Sequence, residues 1–202
     1  MTIKALGKKA GAAGAARELF AQYGYQGVTM EKVARRAGMA RTTLYDYFRS
    51  REEILYFLIE DHLAGGTEPP PPGPLPFRLA RCMAASLQRL EANFDLYRIL
   101  FTERPVLGDE LGTRLAEWQR IILETVGEVI HQAMETGEYS PRGDREGALF
   151  MYQALLGQRL NSLILAGPDS MAGLNPEAEA EKLIDYMIRG TGGLKDGHDL
   201  HK

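Results

Sequence analysis

The chain has 202 residues, 45% of them hydrophobic, with 27 acidic against 24 basic side chains and a net charge of −3. That is enough apolar material for a sizeable core, and a single cysteine, Cys82, excludes an intramolecular disulfide framework. No signal-like apolar start and no run of bilayer-crossing length is present, so the sequence predicts a soluble, cytoplasmic protein without a membrane partner. Charge is segregated: residues 1–55 hold ten Lys and Arg against five Asp and Glu, a balance of +5 that leaves −8 for the remainder. A basic head on an acidic body points to two separate tasks, and a basic surface suits phosphates.

In chain order, the stretch from Ala15 to Tyr23 reads as a helix stopped by Gly24. Thr29 is placed to cap a second helix, in which Met30, Val33, Ala34 and Ala37 recur at helical spacing and Glu31, Lys32, Arg35 and Arg36 face water. Gly38 stands where the chain must leave that helix with a positive φ. Arg41 to Phe48 follows as a further helical segment, with Leu44 and Phe48 four apart and inward, and Arg41, Thr42 and Tyr45 on its outer face. Ser50-Arg51-Glu52-Glu53 is a capping-box pattern ahead of the apolar run Ile54, Leu55, Phe57, Leu58, so a fourth helix begins there. Two short helices around a Gly-containing turn form a helix-turn-helix, whose second helix enters the DNA major groove.

With the flanking residues included, the span from Ala15 to Leu55 resembles the TetR family of transcriptional regulators. The resemblance rests on Leu19-Phe20 followed by Gly24-Tyr25, the Thr29-led helix, Ala37-Gly38, Leu44-Tyr45-Asp46-Tyr47-Phe48 and Ser50-Arg51-Glu52. It implies an all-α fold: an N-terminal three-helix helix-turn-helix DNA-binding domain, then a larger helical domain for ligand binding and dimerisation. The DNA-binding residues it implies are Thr29, Arg41, Thr42, Thr43, Tyr45, Asp46, Tyr47 and Arg51. Several positions depart from the family pattern. Ala40 replaces the usual Ser cap, at about 1 kcal/mol, and Arg51 replaces Lys but keeps a charge suited to phosphate. Asp46 either accepts from a cytosine amino group or, the favoured reading, pairs with Arg49 or Arg41. Ala12 and Ala13 replace bulkier residues, which predicts a frayed start to the first helix. Lys8 and Lys9 fit either a phosphate-touching arm or a solvated terminus.

Residues 65–76, with Pro69 to Pro72, Pro74 and Pro76, read as a stiff polyproline spacer between a DNA-binding domain at 1–64 and an effector and dimerisation domain at 77–202. Helices are predicted over 77–92, 94–102, 109–136 and 144–165, and a last one opens at Asn175-Pro176 and ends at Gly190. A disordered tail is expected from about 191. The helix at 144–165 is apolar around most of its circumference and needs cover on all sides, which a second subunit would provide. By the resemblance, it and the last helix form a four-helix dimer interface, for which Leu149, Leu156, Leu160, Leu163, Leu183 and Met187 are the expected residues.

Met83, Leu87, Tyr97, Phe101, Trp118, Ile122, Met151 and Tyr152 are the expected lining of an effector pocket, although each equally suits plain core packing. Arg98, His131, Gln153 and Arg159 are possible polar anchors. The resulting expectation is a homodimeric repressor that leaves a palindromic double-stranded operator when a small hydrophobic or aromatic effector binds. A DNA-binding regulator without an effector is the alternative. An enzyme is disfavoured, since no phosphate loop or metal-ligand cluster is seen and His62, His131 and Cys82 lack partners in the sequence pattern. No cofactor and no metal are expected.

Overall fold

The computed structural model describes residues 3–64, 68–103 and 108–191, and these residues fold into helices with no strand among them. Two compact units emerge, one from residues 1–66 with 95–114, the other from 67–94 with 115–202.

The first unit contains α1 (Ile3–Tyr23), α2 (Met30–Arg36), α3 (Arg41–Tyr45) and α4 (Arg51–Ala64), together with α6 (Phe94–Thr102) from Asp95 onward and the beginning of α7 (Gly108–Glu135). α1 packs on both α2 and α4. Ala12, Ala13 and Ala16 are buried with Phe20, Leu44, Phe48, Ile54 and Leu55. The small side chains at 12 and 13 therefore do not fray the helix as expected. They sit in the core, where a bulkier residue would hold neighbouring groups apart. Gly24 and Gly38 take φ of 70° and 63°. At Gly38 the amide of Met39 reaches back to the Ala34 carbonyl at 3.0 Å and that of Gly38 to Arg35 at 3.2 Å, a Schellman-type stop. α6 is tied in by a two-pronged ion pair, Arg17 Nε and Nη2 donating to the two Asp95 carboxylate oxygens at 2.8 and 2.7 Å. Residues 95–114 thus join the first unit, whereas the sequence reading put them in the second domain.

The second unit contains α5 (Leu75–Ala92), the remainder of α7, α8 (Arg145–Ala166), a short 3₁₀ turn (Pro168–Met171) and α9 (Pro176–Thr191). α5 lies along α9, and α8 packs on α9. Leu79, Met83, Leu87 and Leu90 of α5 bury one stripe, as do Ala180, Ile184, Met187 and Ile188 of α9. The expected spacer is shorter than its composition indicates, because Leu75 and Pro76 already lie in the first turn of α5. Proline is tolerated there since a first-turn N–H has no helical acceptor. The Leu75 amide donates instead to the Glu138 carboxylate, which also pairs with Arg78 at 2.7 Å. The tail expected to be disordered lies, from residue 192, outside the described residues. No described helix is long and apolar enough to cross a membrane.

Candidate nucleic-acid interface

Each short helix of the first unit is held by local sequence rules. Thr29 Oγ1 accepts from the Lys32 amide at 3.3 Å, capping α2 as predicted. Ser50 Oγ accepts from the Glu53 amide at 3.2 Å, and the Glu53 carboxylate reaches back to the Arg49 amide at 2.6 Å. That is the reciprocal capping box displaced by one residue. Ala40 adopts the extended backbone of a cap but supplies no side-chain bond.

Between these caps α3 is only five residues long, shorter than the segment to Phe48 that its pattern predicts. The chain keeps turning as the Tyr47 and Phe48 amides donate hydrogen bonds to the Leu44 carbonyl, at 3.0 and 2.9 Å. Leu44 and Phe48 are fully buried, and Phe48 meets Phe57 edge to face with ring centres 5.5 Å apart. These anchors leave Arg41, Thr42, Tyr45 and Asp46 exposed, with Thr43 and Tyr47 half-buried. A rigid short helix with exposed side chains of guanidinium, hydroxyl and carboxylate type has the donors and acceptors that read base edges and phosphates.

Two of the expected roles change in the structure. Asp46 has no ion-pair partner among the described residues, because Arg41 turns to Glu31, Nη1 to Oε1 at 2.5 Å, and lies over the Tyr45 ring at 5.6 Å. Arg51 points into the protein. Its Nη1 donates to the carbonyls of Tyr25, Gln26 and Val28 at 3.3, 3.3 and 3.2 Å, and its guanidinium stacks on Tyr25 at 4.5 Å. The residue expected on a phosphate is therefore a clamp on the turn that leads into α2. Burial pushes the Tyr25 hydroxyl up in pKa, and the neighbouring Glu52 adds to the shift. Sequence reasoning missed Glu31 and Tyr25 as partners. No local signal points to them, since each lies ten or more residues from the arginine it engages.

The other predicted residues separate between the units. Tyr97, buried, and Phe101, exposed, belong to α6 in the first unit, whereas Met83, Leu87 and Tyr152 are buried in the second, with Ile122 and Met151 half-buried there. The Trp118 side chain lies outside the described residues. Of the polar anchors, Arg98 donates to the Ala21 carbonyl at 3.4 Å, His131 pairs with Glu135 at 3.4 Å and Arg159 with Glu179 at 2.8 Å. Gln153 is half-buried. Of the expected dimer residues, Leu156, Leu163 and Met187 are covered by their own chain, and Leu149, Leu160 and Leu183 are half-buried.

Residues 14–56 match the family model described as bacterial regulatory proteins, tetR family. Along most of its length the chain is similar to an uncharacterized HTH-type transcriptional regulator, YhgD, of Bacillus subtilis (strain 168). The two are 25% identical over 183 residues, covering 87% of this chain and 92% of the relative. The fold is similar to that of the TetR family transcriptional regulator PfmR from Thermus thermophilus, with a TM-score of 0.69, 23% identity and coverage of 91% and 98%. It is also similar to the regulator FadR from Bacillus subtilis in complex with stearoyl-CoA, with a TM-score of 0.67, 20% identity and coverage of 89% and 97%. The capped α2, the Gly38 turn and the exposed face of α3 all fall within residues 14–56, so this segment is the part of the chain that matches the tetR family of bacterial regulatory proteins, and the whole chain is similar in length and fold to regulators of that kind.

Proposed function

We propose that the protein is a homodimeric repressor that binds a palindromic operator through α3 and releases it when a small apolar effector binds. The observation that carries this reading is the division of labour on α3: Leu44 is buried while Arg41, Thr42, Tyr45 and Asp46 of the same short segment stand exposed. A major-groove reader needs that arrangement, with base-contacting side chains on a helix fixed from behind. Thr29, Thr43 and Tyr47 complete the proposed DNA surface from its edges.

For the dimer, the exposed side of α8 is the supporting feature. Phe150, Ala154, Gly157 and Leu165 lie along one helical face at spacings of four, three and eight, with Phe150 66% and Leu165 75% exposed. A methyl group added at Gly157 would meet nothing within 4 Å, so another helix could cross closely there. Tyr186 of α9 is 55% exposed as well. A second copy covers such a face by two-fold symmetry, and a two-fold dimer reads an inverted repeat. This moves the proposed interface away from Leu156, Leu163 and Met187 and onto Phe150, Ala154, Gly157, Leu165 and Tyr186.

For the effector, Met83, Leu87 and Tyr152 supply buried apolar surface in the second unit. The stearoyl-CoA in the FadR match makes acyl thioesters one class to screen beside simple aromatic compounds.

Selection of bound fragments from randomised duplex DNA by the full-length protein tests the reading. Enrichment of an inverted repeat, together with a dimeric mass by light scattering, is the expected result. Phe150→Asp should give a folded monomer with weakened operator affinity. Absence of any enriched sequence, or an unchanged mass for Phe150→Asp, overturns the corresponding part.

A further inference from the structure

The cations of the helix-turn-helix are not equally available to DNA. Arg51 is engaged by three carbonyls. Lys32 Nζ donates to the Gly27 carbonyl at 2.6 Å, and Arg36 Nε to Glu18 at 2.8 Å. Arg41, at the first position of α3, is held by Glu31 of α2 at 2.5 Å and rests over Tyr45 one turn on. Both side chains of this pair are open to solvent, Arg41 at 59% and Glu31 at 65%. The contact crosses the turn between the two helices, so a helix N-terminus or helical periodicity does not account for it.

Association with DNA of arbitrary sequence draws its affinity from cations that displace counterions at phosphates. A guanidinium already neutralised by a carboxylate contributes less to that process, and the carboxylate itself repels phosphate. A guanine edge offers more, because O6 and N7 accept from the arginine fork together with defined geometry, and exposed ion pairs are weak enough to be exchanged for such a contact. Resting on the DNA-binding reading above, we infer that Glu31 is a specificity-determining residue: it masks Arg41 against phosphates and so lowers binding to non-operator DNA more than binding to the operator.

The experiment uses full-length wild type, Glu31→Gln, Arg41→Ala and the double variant. Affinity is read by fluorescence anisotropy on the selected operator and on a random-sequence duplex across a salt series, and a thermal melt of each protein checks its fold. Glu31→Gln is expected to raise affinity for the random duplex about three- to fivefold, the range an exposed pair supports. It should also steepen the salt dependence there by up to about 0.9 in logarithmic slope, one further phosphate contact. Operator affinity changes less, so the ratio of operator to random binding falls. In the Arg41→Ala background the same change should have under about twofold effect, because no masked cation remains.

Random-duplex affinity and slope that do not respond to Glu31→Gln would overturn the inference while leaving the DNA-binding reading intact. So would a response that persists at full size without Arg41, which would make Glu31 a simple repulsive charge. A wild-type protein that binds neither duplex sinks the DNA-binding reading and this inference together.

Discussion

The two units hold their helices by different means. In the first, helices of five and seven residues are too short to be stable by themselves, and their ends are fixed by caps, a positive-φ glycine and clamps such as Arg51 and Arg17. In the second, α5, α8 and α9 run 18, 22 and 16 residues and are held mainly by long apolar stripes. Short capped helices such as α2 and α3 place polar side chains at defined exposed positions, while long helices packed along apolar stripes offer extended faces that suit apolar partners. The difference teaches why one unit carries a recognisable residue pattern and the other does not. Caps and turns demand particular residue types, whereas a stripe accepts any apolar residue of fitting volume.

The largest effects should come from the two cores. Phe48→Ala removes a fully buried ring that meets Phe57 and is expected to cost about 3–5 kcal/mol, with operator binding lost at temperatures where wild type is folded. Met187→Ala, buried in α9, should cost about 2–5 kcal/mol. Denaturant melts measure both, and a Phe48→Ala protein that still binds its operator normally would break the argument that the core behind α3 fixes the reader.

Next in size is Arg51. Arg51→Ala loses three donor contacts and a stacked ring and is expected to lower stability by about 2 kcal/mol, the scale of hydrogen bonds from a charged group. Arg51→Lys should recover only part of it, since a single ammonium cannot reproduce the planar fork. If Arg51→Ala melts like wild type and merely loses DNA affinity, the clamp is wrong and the phosphate role expected from the sequence stands.

Smaller, and opposite in sign, is the missing cap. Ala40→Ser gives α3 the side-chain acceptor it lacks and should stabilise the first unit by about 1 kcal/mol, seen as a raised melting temperature with operator affinity kept.

The smallest expected effect sharpens the second unit. Burial pushes the Cys82 thiol up to about 11 from an ordinary 9.0, and it raises Tyr139 and Tyr152 as well. All three hold protons more tightly when folded than when unfolded. The Cys82 contribution to stability is therefore complete below its unfolded value of about 9 and is lost as pH rises through about 11, while those of the two tyrosines are complete below their ordinary 10.0 and fall only at higher pH. Denaturant melts from pH 8 to 11 check this for the assembly of groups. Because thiolate is the reactive form, iodoacetamide at pH 8 should modify Cys82 far more slowly than it modifies a small thiol.

The helices, their order and most of their ends were legible in the sequence. Spacing of Met30, Val33 and Ala34, the stops at Gly24 and Gly38, and caps at Thr29, Ser50 and Asn175 are local properties of the backbone, and a helix repeats every 3.6 residues whatever surrounds it. The exposed face of α3 was legible for the same reason, since Leu44 and Phe48 mark its inner side. What the sequence could not decide is which face of an all-round apolar helix is covered, and which distant group a long charged side chain meets. Leu156 and Leu163 turned out to be buried in their own chain while Phe150 and Leu165 remained exposed. Arg51 met carbonyls 23 to 26 residues away, Arg41 met Glu31, and residues 95–114 joined the first unit rather than the second. Those outcomes depend on how helices pack in three dimensions. Arginine reaches several ångströms in many directions, and only the assembled backbone determines which acceptor comes within that reach.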